Sequence, residues 1–336
     1  MKQSEPPLVS VIIPVYNSGP FIRHAVESVF NQTYPCERTE VIVVDDGSTD
    51  NTFDVLKEYR GKISYVRQEN KGIASARNKG IEMAKGEIIT FLDADDIWHK
   101  ERLQKVVEKF REQPQAGMLY HPFDLIDSNG LIICKNFYKA YGYKEGLSDW
   151  VAKKIFMGRI FCGGSSFAFR KSVIDKIFPI PEDIRRGVDY YITAIASCCA
   201  PAVYIHEILG KYRAHDSNFT MFAGHDDIKK LAIVNKEFAE MRQKVIEKIL
   251  TTANSHMRAI DLGMLKRRQA KELTFYHFLT GERFKGARLI PALFAGKPSV
   301  KESLRGIAVS CMILFMPASL FPKLLKMQQR IRIRLS

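Results

Sequence analysis

Two short acidic runs are where residue type and spacing in this 336-residue chain first suggest chemistry. Phe91-Leu92-Asp93-Ala94-Asp95-Asp96 sets three carboxylates within four residues. Such a group repels itself and persists only with a compensating cation or solvent. Mg²⁺ and Mn²⁺ favour hard oxygen ligands and often bridge a few carboxylates to substrate phosphates. The second run, Val43-Val44-Asp45-Asp46-Gly47-Ser48-Thr49-Asp50, puts adjacent carboxylates at the end of an apolar stretch, where they can accept hydrogen bonds from a base or a ribose. Read alone, each run has a plainer meaning: an acidic surface turn for the first, a helix cap with turn residues for the second. Three later segments are as open. Gly163 and Gly164, in Phe161-Cys162-Gly163-Gly164-Ser165-Ser166, would let backbone approach a ligand closely or simply form a turn. Asp189 in Gly187-Val188-Asp189-Tyr190-Tyr191 reads by itself as a helix-start carboxylate, and a lone histidine such as His215 is usually structural.

The elements that must position these residues alternate. Leu8–Val15 is apolar but for Ser10 and rich in β-branched residues, which predicts a strand buried on both faces. Helical spacing follows over 19–32, then a strand over Glu40–Asp45 and a helix over 50–60 with Asp50 as its cap. Ser64–Gln68 and Glu87–Leu92 read as strands around a helix over Ile73–Ala84. This alternation predicts an α/β fold with a mainly parallel sheet and functional loops at the carboxyl ends of its strands. The pattern then loosens. Met118–Leu125, Leu131–Lys135, Phe167–Arg170 and Ala202–His206 read as strands, and 148–157 and 187–199 as helices. From 226 to 252 there is one long amphipathic helical pattern, with further basic helical stretches beyond it.

Charge separates the two parts. Residues 1–220 carry 29 Lys/Arg against 28 Asp/Glu, whereas residues 221–336 carry 22 against 9. An excess over a third of the chain points to a polyanionic partner such as an anionic membrane surface. Ile307–Phe321 is uncharged but shorter than the roughly 20 apolar residues a spanning helix needs. Flanked by Arg305, Lys323 and Lys326, it reads as an interfacial segment or as a core helix with a basic tail. The six cysteines show neither a disulfide framework nor zinc-ligand spacing, which suits a reducing compartment. The first residues lack the pattern of a signal peptide.

Taken in order, SVIIPVYN at 10–17, VVDDGSTDNT at 43–52, NKGIASARNKGI at 70–81 and FLDADD at 91–96 resemble a family 2 glycosyltransferase of the GT-A (Rossmann-like) fold. Further matches run to about 218. The resemblance implies a catalytic domain over 1–222 and a mostly helical, basic extension over 223–336. It implies an inverting transferase that moves a sugar from a nucleotide-diphosphate donor, with UDP the implied carrier, onto an acceptor hydroxyl in cell-surface polysaccharide or glycolipid synthesis. Pro14, Tyr16 and Asp46 would line the nucleoside pocket, Arg77 would lie near the donor and Asp93 would face the ribose. Gly163 and Gly164 would border the donor sugar. Asp95 would hold Mn²⁺ or Mg²⁺, with His215 completing the shell, and Arg213 would steady the diphosphate. Asp189 would be the base, although Val188 stands where the family usually has Glu.

The expected partners are the nucleotide-sugar, a saccharide or lipid-linked saccharide and an anionic membrane, with no nucleic acid. The expected location is cytoplasmic, peripheral on the inner face of the membrane. The alternative function is a nucleotide-sugar-binding protein with impaired catalysis, which Val188 alone supports. A nucleotidyltransferase would want a Gly-rich basic loop after the first strand, where Tyr16-Asn17-Ser18-Gly19-Pro20 stands. No G-x-G-x-x-G follows a predicted strand, so a dinucleotide site is disfavoured.

Overall fold

The apolar N-terminal run becomes the middle of a sheet. In a computed structural model, which describes residues 5–140, 163–215, 228–251 and 262–280 with isolated positions up to 291, all seven residues of the first strand are buried. The strands are β1 (Val9–Val15), β2 (Thr39–Asp45), β3 (Ser64–Arg67), β4 (Ile88–Phe91), β5 (Ile97–Trp98), β6 (Met118–Tyr120), β7 (Asp124–Ile126), β8 (Ile132–Cys134), β9 (Phe167–Arg170), β10 (Ala202–Tyr204) and β11 (Gly210–Arg213). The helices are α1 (Ile22–Phe30), α2 (Thr52–Leu56), α3 (Ile73–Met83), α4 (Arg102–Glu112), α5 (Phe137–Ala140), α6 (Lys171–Ile177), α7 (Val188–Cys199), α8 (Ile228–Thr251) and α9 (Leu262–Leu279). Short 3₁₀ turns occur at Cys36–Arg38, Lys57–Tyr59 and Gly164–Ser166.

The larger sheet runs β10-β6-β9-β4-β1-β2-β3. Its pairs are parallel except where β9 lies antiparallel between β4 and β6. The mixed α/β, mainly parallel architecture expected from the sequence is therefore present. Pairing of β1 with β4 ends at Ile12, two residues before Pro14, so the proline lies where that ladder has already opened. The carboxyl ends of β1, β2 and β4 therefore border a crevice, which is where open α/β sheets bind ligands.

A second sheet, β5-β11-β7-β8, is not foreseen by the sequence pattern. It also corrects one expectation, because the apolar run 118–125 is two strands rather than one. β6 belongs to the larger sheet and β7 to the smaller. Between them lie His121, Pro122 and Phe123, and a proline cannot donate to a continued ladder. The helix expected over 148–157 and the apolar segment Ile307–Phe321 lie outside the described residues.

Helix α3 packs on β1 and β2. It comes close because Gly80 has no side chain: a Cβ there would lie 2.3 Å from Ile12 Cγ2. This contact fixes where the rest of α3 points.

The chain divides into two compact units, residues 1–215 and 216–336. In the second, α8 and α9 pack on each other and the buried Arg242 pairs with Glu272 at 2.7 Å. Among the described residues no helix is long and apolar enough to cross a membrane, and Cys36, Cys134, Cys198 and Cys199 are free thiols.

Candidate active site

The end of the crevice beside β1 and β2 is built around Asp45 and Asp46. Asp45 is fully buried and accepts hydrogen bonds from Ser48 N (2.7 Å) and Tyr65 Oη (2.8 Å), which folds the turn after β2. The Asp46 amide donates to Val15 O at 2.8 Å and so binds the end of β2 to that of β1. Its carboxylate accepts from Gln68 Nε2 (2.8 Å), Lys71 N (2.9 Å) and Gly72 N (2.8 Å). A carboxylate has about four lone-pair sites, so three bonds fix its orientation and leave acceptor capacity. Tyr16 follows β1 with its side chain 49% exposed. Asn17, at φ 47°, turns the chain there and accepts a hydrogen bond from Thr49 N at 2.7 Å.

The other end gathers carboxylates after β4. Arg77, on α3, is completely buried, with its guanidinium 5.1 Å from the centre of the Phe91 ring. Nη2 lies 3.1 Å from Asp93 Oδ1 and Nη1 lies 2.6 Å from Asp189 Oδ1. Burial pulls the arginine pKa down, but Asp189 and Asp93 outweigh that and hold it above its ordinary value. Burial also drives Asp93 the other way, pushing its pKa up to about 7, with Asp189 and Asp95 adding to the rise and Arg77 opposing it.

Gly164 sits against all three side chains: a Cβ there would lie 2.5 Å from Arg77 Nη2, 2.7 Å from Asp189 Oδ1 and 3.3 Å from Asp93 Oδ1. Its neighbour Gly163 passes the Tyr212 ring, which a Cβ would meet at 3.0 Å. Asp189 enters at the first turn of α7, after Gly187 in the left-handed region, and Val188 beside it is buried.

Asp95 Oδ2 and His215 Nε2 stand 2.9 Å apart. The His215 ring lies against Phe21, with centroids 4.8 Å apart. Among the described residues no group of three or more Asp, Glu, His or Cys side chains is assembled for a metal ion. A carboxylate oxygen next to an imidazole nitrogen is nevertheless a donor pair that suits Mn²⁺ or Mg²⁺ when phosphate oxygens and water supply the remaining ligands.

Two arginines expected at the donor are held by the protein itself. Arg77 is expected at the donor, but a side chain with no exposed surface touches the site only through Asp93 and Asp189. Arg213 is expected at the diphosphate, yet it is 2% exposed and committed to the scaffold. Its Nε donates to Asp95 O at 2.8 Å, and its Nη1 to Asp127 O (3.2 Å) and Ser128 O (3.0 Å). The guanidinium thus ties the turn after β7 to the loop after β4. Its backbone amide donates to Asp96 Oδ1 at 3.0 Å.

Other members of the site have no role in the sequence reading. Ser165 Oγ accepts from Asp93 N at 3.0 Å and donates to Asp96 Oδ2 at 2.6 Å. Asp96 is buried, and burial, with Asp95 and Asp93 nearby, raises its pKa well above the usual range. The only hint of these partners is that Asp96 and Ser165 fall inside quoted motifs. Phe21 shows only helical apolar spacing.

The chain belongs to glycosyl transferase family 2, whose model matches residues 10–178. It is 35% identical over 222 residues to an uncharacterized glycosyltransferase of Nostoc sp. (strain PCC 7120), a match covering 64% of this chain and 67% of that protein. It is 46% identical over 115 residues to TuaG of Bacillus subtilis (strain 168), whose name assigns it to teichuronic acid biosynthesis. That match covers 33% of this chain and 44% of TuaG, so the aligned region spans less than half of that relative.

Among solved structures, S. aureus TarS 1–349 in complex with UDP-GlcNAc superposes with a TM-score of 0.61 at 19% identity, covering 96% of this chain and 92% of that one. The mannosyltransferase PcManGT from Pyrobaculum calidifontis, in complex with GDP-Man and Mn²⁺, superposes with a TM-score of 0.54 at 20% identity, covering 95% and 84%. These likenesses establish a glycosyltransferase with a GT-A fold.

Proposed function

We propose that the chain is an inverting glycosyltransferase that moves a sugar from a UDP-sugar onto an acceptor hydroxyl with the help of a divalent cation. The observation that carries this reading is the convergence of Asp93, Asp95, Asp189 and His215, from three distant stretches, around the carboxyl end of β4. Asp46 and Tyr16 offer an acceptor group and an exposed aromatic ring at the nucleoside end. Pro14 keeps that end of β1 open, and Gly163 and Gly164 admit the donor sugar.

Asp189 accepts the proton of the acceptor hydroxyl as its oxygen forms the new bond to the anomeric carbon. The bond from that carbon to the diphosphate breaks, and its electron pair leaves on a phosphate oxygen. One displacement inverts the anomeric configuration. Asp95 and His215 would hold Mn²⁺ or Mg²⁺, which supplies Lewis-acid stabilisation of the leaving diphosphate. Asp93 orients the donor at its ribose.

The membrane reading belongs to the second unit and the basic excess beyond residue 221. Those residues act as a peripheral anchor on the cytoplasmic face, near a lipid-linked or surface-polysaccharide acceptor. TuaG, by its name, and TarS with UDP support a UDP-sugar and a cell-surface product.

The test is a donor panel of UDP-glucose, UDP-galactose, UDP-GlcNAc and GDP-mannose with Mn²⁺, scored by release of nucleoside diphosphate. A UDP-sugar is expected to turn over fastest, with no release after chelation. No release from any donor, or preference for GDP-mannose, would overturn the activity or the base respectively. For attachment, flotation with phosphatidylglycerol liposomes should be lost when residues 300–336 are deleted; unchanged flotation would reject that anchor.

A further inference from the structure

We propose that Arg77 is the positioning residue of the catalytic base, a buried guanidinium that holds Asp189 by one oxygen and couples it to Asp93 on the donor side. This rests on the reading of Asp189 as base.

Four observations point the same way. Arg77 has no exposed surface, so it acts only through what it touches. What it touches are two carboxylates from different elements, at 2.6 Å and 3.1 Å. Helix α3 is pressed on β1 through Gly80, which fixes the backbone that carries Arg77. Gly164 closes the opposite side with so little space that a Cβ would collide with Nη2 and with the Asp189 carboxylate.

A buried cation with no anion is strongly disfavoured, so the three charges are interdependent. A guanidinium can face two carboxylates at once with separate N–H groups, whereas a lysine ammonium is a point charge on a flexible stem. Arg77 donates a hydrogen bond from Nη2 to Asp93 Oδ1 and meets Asp189 Oδ1 in a close ionic contact at Nη1, so it fixes the place of both carboxylates. A third of the Asp189 side chain remains exposed, which leaves carboxylate surface for the incoming hydroxyl. Asp93, 22% exposed, carries the same rigid unit to the donor side.

The experiment is steady-state hydrolysis, in Mn²⁺, of whichever panel donor turns over fastest, with water as acceptor. It is run on the full chain and on Arg77→Lys, Asp189→Asn and the double variant. UDP affinity and the melting temperature are measured alongside. Arg77→Lys is expected to lower kcat by ~10²-fold, the scale on which small misplacements act, with donor KM moving less than about threefold. The double variant should be no slower than Asp189→Asn alone, because Arg77 acts through that group.

Gly164→Ala, which keeps the arginine, is expected to lower kcat in the same way while UDP still binds, and it stands as the test if Arg77→Lys does not fold. A raised KM with unchanged kcat in Arg77→Lys would make the arginine a donor ligand and overturn the inference. So would losses that multiply in the double variant, or full activity in Gly164→Ala. Wild-type hydrolysis by Asp189→Asn would instead remove the base assignment itself, a separate failure.

Discussion

The two ends of the crevice solve opposite electrostatic problems. At the end proposed to take the nucleoside, Asp45 and Asp46 are adjacent and buried, yet each is surrounded by donors: backbone amides, Tyr65 and Gln68. At the chemical end, Asp93, Asp95, Asp96 and Asp189 crowd one another, and burial raises Asp93 and Asp96. Arg77 faces Asp93 and Asp189, His215 faces Asp95, and the Arg213 amide donates to Asp96. The first end is a finished acceptor surface that costs nothing to reorganise. The second keeps carboxylates at close range, an arrangement suited to a cation and to proton transfer. Binding and chemistry should therefore separate under mutation.

The largest expected effect lies at the chemical end. Asp189→Asn keeps the shape and removes the base, so kcat should fall by ~10²–10⁴-fold, the range for a lost general base. UDP affinity by titration calorimetry should stay within about threefold, because the nucleoside end is untouched. An equal loss in affinity would dissolve the distinction between the ends. Next is Asp95→Ala. UDP binding in Mn²⁺ should weaken by at least about tenfold (1.4 kcal/mol), while binding in EDTA should be unchanged. Equal affinities with and without the metal in the wild-type chain would remove Asp95 from that role.

Asp46→Ala sharpens the contrast from the other side. It strands the Lys71 and Gly72 amides and Gln68, a cost on the order of 1–3 kcal/mol for each donor left unpaired in the buried state, less where water enters. A lower urea midpoint and a raised donor KM are expected, with kcat close to wild type. A kcat loss as deep as that of Asp189→Asn would show that the two ends are not separable.

The smallest effect comes from the core beside β4 and β9. His121 is buried and accepts a hydrogen bond from Arg102 Nε at 2.9 Å, and burial followed by the Arg102 charge holds its pKa well below 6.5. The unfolded chain takes up this proton near pH 6.5 while the native state does not. Stability should therefore fall as pH drops below about 6.5, by at most ~1.4 kcal/mol per unit. Urea midpoints at pH 7.5 and 5.5 measure it, and His121→Asn should flatten that part of the slope. A slope equal to wild type in the variant would mean other groups carry it.

The same comparison explains what could be read before the structure. Strands β1, β2 and β9 stand out because they are predominantly apolar runs, and the loops after β2 and β4 hold their acidic motifs locally. In the run 118–125 only Pro122 signalled the division, and a hydrophobic pattern does not say which sheet a strand joins. The second sheet is made of strands of two to four residues, too short for periodicity. Arg77 and Arg213 are expected near the donor by the family resemblance alone. Their partners in the structure, Asp189 for the first and the carbonyls of 95, 127 and 128 for the second, are distant in the chain, and no local pattern encodes such pairings.

The most direct test is a crystal structure of the chain with UDP and Mn²⁺. Uracil should lie against Tyr16 with Asp46 on its polar edge, and Mn²⁺ should contact Asp95, His215 and the diphosphate, with Asp189 still held by Arg77. UDP bound away from the carboxyl ends of β1 and β4, or a metal that touches neither Asp95 nor His215, would contradict the account.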